Sequence, residues 1–190
     1  MKTAHSGATS LAIVLALALA LAAGCHGAPK QEPGAAAPQL QLTATGFASG
    51  GNIPAALTCD GRNTSPALNW SDPPAATKSF ALILDDPDAP GGAFVHWVLY
   101  NLPATARALP ASEPKQNQLS DGSLQGRNDF DDIGYGGPCP PGHTPHHYRF
   151  VLYALDTPLS LPAGATRQQV EDALRNHILA RGRLIGVYSR

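Results

Sequence analysis

The sequence predicts a mainly β domain: an antiparallel β-sandwich with one helix in its C-terminal region and long pocket-forming loops. Three observations predict it. Segments 79–85, 94–102 and 146–155 are apolar runs of strand length, rich in leucine, valine and aromatic residues and bounded by turn formers. Only one segment, after Thr166, repeats apolar residues at helical spacing. The 19 glycines and 18 prolines gather in the connections, where the chain must turn. Strands followed by one late helix fit a layered all-β architecture with a helical addition.

The N-terminus stands outside that domain. Lys2 precedes an apolar run from Leu11 to Ala23 and then Gly24-Cys25, the pattern of a secretory leader over residues 1–24. Leu21-Ala22-Ala23-Gly24-Cys25 resembles a bacterial lipobox, which makes Cys25 the expected lipidation site. The run is shorter than the ~20 residues a membrane span needs. Residues 25–39 carry that cysteine and an Ala/Pro/Gly-rich tether without periodicity. The folded domain is expected over 40–190, in the bacterial envelope, facing the periplasm or cell exterior; a soluble secreted product is the alternative. Without residues 1–24 the chain keeps 12 basic and 14 acidic side chains, so nothing favours a nucleic-acid partner.

Within the domain, 40–44 alternates apolar and polar residues and reads as the first strand. A glycine-rich loop (47–52), a short extended piece (53–59) and a turn-rich stretch (60–66) follow, then a short strand at 67–70. Segment 103–138 has little periodicity and reads as loop with a short strand near 122–127; loops of that length are usually functional or disordered. Thr166 and Gln169 fit a capping box. Val170, Ala173, Leu174 and Ile178 form the helix's apolar stripe, Glu171 and Arg175 an i,i+4 pair, and Gly182 the expected stop before a final strand at 183–188.

The chemistry concentrates at strand ends. Phe80, Leu82, Leu84 and Asp86 share one parity, so Asp86 caps an apolar row. Phe94, His96, Val98 and Tyr100 share another, and His146, Tyr148, Phe150 and Leu152 a third. An acid and imidazoles at the polar margin of apolar faces suit a pocket mouth. They equally suit turn acceptors and satisfied core histidines. The loop 134–142, rich in glycine and proline, offers backbone N–H groups to an anion, or is a surface loop pinned by a disulfide. With Cys25 set aside, Cys59 and Cys139 remain as a bonded pair or as two buried thiols; an oxidising compartment favours the bond.

Several of these motifs, in this order, resemble the phosphatidylethanolamine-binding protein family, in particular its bacterial Raf-kinase-inhibitor-like branch. They are Asp86-Pro87-Asp88-Ala89-Pro90, His96 within Val95-His96-Trp97-Val98, the loop Gly136-Gly137-Pro138-Cys139-Pro140-Pro141, and His146-His147-Tyr148. Thr64 to Trp70 and Leu179 to Gly186 extend the likeness over about Leu42 to Tyr188. One departure is His147, where many relatives carry arginine.

The resemblance implies a two-sheet sandwich with a small anion pocket. Its ligand-binding set here would be Asp86, Asp88, Pro90, His96, Gly137, Pro140, His146 and Tyr148. The expected ligand is a phosphate-bearing or other small anion, such as a phospholipid head group. The membrane is met through the N-terminal lipid only. No catalytic residue, metal or cofactor is expected. Asp86 repels a phosphate, so its expected role is to orient a histidine and keep it cationic, which makes binding weaken as pH rises past about 7. Two rivals stand beside this reading: a protease- or kinase-inhibitor type of protein-interaction module, with an unnamed protein partner, and a metal-dependent hydrolase drawing on Asp86, Asp88, His96, His143 and His146. The spacing of His143 and His146 matches no strong zinc signature, and the absence of G-x-S-x-G speaks against a serine hydrolase.

Overall fold

In chain order the strands are β1 (Gln39–Leu40), β2 (Leu42–Ala44), β3 (Leu68–Trp70), β4 (Ser79–Asp86), β5 (Phe94–Pro103), β6 (Ala108–Leu109), β7 (Leu124–Gln125), β8 (His146–Leu155) and β9 (Ile178–Tyr188), with helix α1 (Arg167–Leu174) before the last. This computed structural model describes residues 1–3 and 38–190. The leader, Cys25 and nearly all of the tether lie outside the described residues.

Six strands form one sheet in the order β1-β9-β8-β4-β5-β7, and β2-β3-β6 form a second. The long strands pair antiparallel, and the two-residue β1 runs parallel beside β9. The stretch 40–44 is not one strand: it changes sheets at Gln41, so Leu40 pairs with Gly182 and Leu42 with Trp70.

Every residue of β4 is buried, because the large sheet is covered on both faces. Phe80, Leu82 and Leu84 pack with Tyr148, Phe150 and Leu152 against Leu42, Leu68, Trp70 and Leu109 of the small sheet. Ala81 and Ile83 pack on the opposite side with Val98 and Tyr100 against Val170 and Leu174 of α1. A strand buried on both faces reads as a continuous apolar run, which is what 80–84 shows.

The helix is shorter than its sequence periodicity suggested. The Thr166/Gln169 capping box forms, but the helix closes at Leu174, and Ile178 already opens β9 opposite Leu155. Gly182 therefore stops no helix. It lies inside a strand where β1 crosses closely: a Cβ there would sit 3.0 Å from the Leu40 carbonyl oxygen and 3.1 Å from the Leu40 Cβ. The expected Glu171–Arg175 pair is also replaced: Glu171 takes Arg167, and Arg175 takes Asp172.

Candidate functional site

Strand β4 ends with Asp86 and the chain turns back into β5. The pairing contains a bulge at that end: Leu84 faces Trp97 while Asp85 faces Val95, so His96 is the extra residue. The bulge breaks the expected alternation. Val98 and Tyr100 turn toward α1, whereas the His96 ring packs edge-on against Tyr148 at 5.2 Å, on the sandwich side. A bulge that re-aims one side chain is a recurrent way to build a site at a sheet margin.

Around His96 lies a cavity of about 200 Å³ lined by Asp86, Ala89, Pro90, Phe94, His96, Phe130, Cys139, Pro140 and Pro141. Asp86 and His96 give it polar groups; prolines and aromatic rings give it stiff apolar walls. Phe130 is 44% exposed, an unusual position for a large apolar ring, and it stacks edge-on against Phe94 and His96.

The polar groups are tightly held. His146 Nδ1 meets Asp86 Oδ2 at 2.7 Å, both side chains buried. Asp86 Oδ1 accepts the Asp88 N–H at 2.9 Å, an Asx turn that fixes the acidic corner. His96 Nδ1 lies 2.8 Å from the Gly136 carbonyl oxygen, and Gly136 N–H donates back to the His96 carbonyl at 2.8 Å. A carbonyl only accepts, so His96 Nδ1 carries the proton, and Nε2 is left as the ring's second site. Burial holds the His96 pKa below the ordinary histidine value, although the Gly136 carbonyl and the Asp86 charge pull the other way. Tyr148 is fully buried and its hydroxyl has no hydrogen-bond partner. Burial, with the Asp86 charge, pushes its pKa well above the usual tyrosine value, so it stays a neutral hydroxyl.

The loop across the cavity is anchored by a disulfide between Cys59 and Cys139, with Cα atoms 5.4 Å apart. Cys59 N–H also donates to the Pro138 carbonyl at 3.0 Å.

The phosphatidylethanolamine-binding protein family profile matches residues 43–189. The chain belongs to that family. It is 46% identical over 151 residues to a UPF0098 protein of Methanothermobacter thermautotrophicus, covering 80% of this chain and 99% of the relative. It is 48% identical over 153 residues to a UPF0098 protein of Aquifex aeolicus, covering 80% and 89%. Among solved structures it resembles Escherichia coli YbcL (TM-score 0.74, 37% identity) and the homologue CT736 of Chlamydia trachomatis (TM-score 0.73, 38% identity). Each match covers 80% of this chain and 98% of the other.

In this member of the phosphatidylethanolamine-binding protein family, Asp86, Pro90, His96 and Pro140 line the cavity. His146 and Tyr148 stand behind them: His146 braces Asp86, and Tyr148 supports the His96 ring. Asp88 is not in the lining. Its carboxylate faces outward and takes both the backbone N–H and the Nδ1 of His147, at 2.8 and 2.7 Å. Gly137 is in the cavity loop, but its N–H is used internally, donating to Asn63 Oδ1 at 2.6 Å. Its lack of a side chain serves packing, since a Cβ would strike the Leu57 carbonyl oxygen. His143 lies apart, exposed, with Nδ1 at the Arg190 carbonyl oxygen, and among the described residues no three His, Cys, Asp or Glu side chains gather as metal ligands.

Sequence reasoning passed over the residues that set the loops. Asn128 is buried; its Nδ2 donates to the Gly134 carbonyl while its Oδ1 accepts the N–H groups of Phe130 and Asp132. It thereby folds the loop that presents Phe130. Asp129 Oδ2 accepts the Val95 N–H at 2.7 Å and ties that loop to β5. Asn-Asp-Phe-Asp-Asp at 128–132 carried a visible turn signal, but not its target.

Proposed function

We propose that this protein binds a small phosphoryl-bearing ligand, of head-group size, without turning it over. The observation supporting this reading is the convergence of Asp86 and His96, backed by His146 and Tyr148, on one cavity from three strands. A volume of about 200 Å³ lies below the ~300–1,000 Å³ of drug-sized sites, so a head group fits where a whole lipid does not. The electrostatics require a proton. Asp86 is a carboxylate at the wall, and burial disfavours a charged His96. A phosphate therefore enters either with a P–OH donating to His96 Nε2 or with His96 taking up a proton; a phosphomonoester, with its second pKa near ~6, is suited to the first. The lone Tyr148 hydroxyl, beside the Asp86–His96 wall, is the donor in reserve.

We place the protein in the envelope. The leader pattern and the disulfide, which persists in oxidising compartments, support that. Titration calorimetry with O-phosphorylethanolamine and inorganic phosphate tests the ligand class. Saturable binding at pH 6, weakened about tenfold by Tyr148→Phe, is expected, one lost charge-assisted hydrogen bond being worth ~1.5 kcal/mol or more. No binding of either compound at pH 6 ends the reading.

A further inference from the structure

We infer a second anion site, on the opposite face of the large sheet from the cavity, that takes a phosphate group on a pair of arginines from β9. It is a groove of about 300 Å³ between α1 and the sheet, lined by Arg149, Arg167, Arg181, Arg183, Asp85 and Glu171 together with apolar floor residues. Four guanidiniums face two carboxylates, an excess of two positive charges.

The two acids are committed. Asp85, buried at the groove's base, takes Arg149 through both carboxylate oxygens, at 2.8 and 2.6 Å, and Arg167 at 2.8 Å. Glu171 takes the Nε of Arg167 at 2.7 Å. Arg181 and Arg183 remain. They are exposed, share one face of β9 through their i,i+2 spacing, and have no carboxylate partner among the described residues. Arg181 is oriented by the Tyr153 ring, its guanidinium carbon 5.5 Å from the centroid. Arg183 stands opposite Val151 in the strand pairing, and Ile83 completes an apolar floor. One guanidinium oriented on the Tyr153 ring and a second two residues along the same strand face, with the local acids already neutralised, match a phosphate oxyanion better than a cation or a neutral group. A membrane head group and a free phosphomonoester present the same oxyanion to this pair.

The test uses the full-length protein and the double variant Arg181→Gln/Arg183→Gln. Each is titrated with inorganic phosphate and glycerol 3-phosphate, and each is co-sedimented with phosphatidylcholine vesicles with and without phosphatidylglycerol. The double variant is expected to lose one equivalent of bound phosphate, or to bind anionic vesicles about tenfold more weakly, while Tyr148→Phe weakens only the separate cavity equivalent and leaves the arginine-site equivalent and the vesicle binding unchanged. Loss in the titration identifies a free phosphomonoester as the source, and loss on anionic vesicles alone identifies a head group. The inference is overturned if the double variant matches the parent in both arms. It is equally overturned if Arg107→Gln/Arg175→Gln, which removes the same charge elsewhere on the surface, causes the same loss. Cavity binding is read separately through Tyr148→Phe, so either site can fail without the other.

Discussion

Asp86 and His146 meet at 2.7 Å across β4 and β8 with 4% and 7% of their side chains exposed. The pair backs the inner wall of the cavity through one Asp86 oxygen, while the other oxygen caps the turn at the Asp88 N–H. Asp86→Ala leaves His146 and the Asp88 N–H without their acceptor in a buried place. Each buried donor left unmet costs about 1–3 kcal/mol. Asp86→Asn keeps an oxygen in position and is expected to cost less than half as much. Urea unfolding of the two variants measures the difference; equal losses would show that the acceptor oxygen, not the pairing, was irrelevant to stability.

Tyr148→Phe separates binding from stability. The Tyr148 hydroxyl is buried without a partner, so its removal relieves an unsatisfied polar group, worth about 1–3 kcal/mol when left unmade. The ring, which carries the packing against His96, stays. The variant is expected to be as stable as the parent or up to about 1 kcal/mol more stable, and to bind phosphate more weakly. A loss of stability in chemical denaturation would mean that the hydroxyl has a partner in solution.

The Cys59–Cys139 bond ties two segments 80 residues apart, and Cys139 lines the cavity. Replacing both with serine removes a constraint worth about 2–4 kcal/mol and frees the Pro138–Pro141 wall. The urea midpoint and the phosphate affinity are both expected to fall. Thiol counting on oxidised parent protein checks the premise: two titratable thiols would remove it.

The strands of the core were legible because burial writes itself into composition. Residues 80–84 are apolar at every position since both faces of β4 are covered, and the alternation of Tyr148, Phe150 and Leu152 follows the single cavity-and-sandwich face of β8. What stayed hidden depends on partners. The bulge that turns His96 away from Val98 lies in the register between β4 and β5, which no window of β5 alone contains. Gly182 looked like a helix stop because the strand that crowds it, β1, lies about 140 residues upstream. Asp88 looked equivalent to Asp86, two residues earlier on the same motif. Only the outward His147 ring, on β8, shows where its charge goes. Asn63 could not be read at all as the acceptor for Gly137, 74 residues away.

The pH response of the free protein follows from His96. Its folded pKa lies below the ordinary histidine value because burial disfavours the imidazolium. Above about pH 6.5 folded and unfolded chains both hold it neutral, and it contributes nothing to pH dependence. As pH falls through that value the unfolded chain binds a proton that the folded one does not, so stability is lost down to the folded pKa and then levels off. His96→Gln keeps a donor for the Gly136 carbonyl and removes the titration. The difference between parent and variant unfolding free energies is therefore expected to shrink for the parent below pH 6.5 and to be constant above it. A phosphate bound with proton uptake works against that loss: affinity should rise over the same interval, and ligand-induced gains in thermal midpoint should be larger at pH 5.5 than at 7.5. Equal gains at both values would show that the ligand enters without a proton, leaving His96 Nε2 out of the contact.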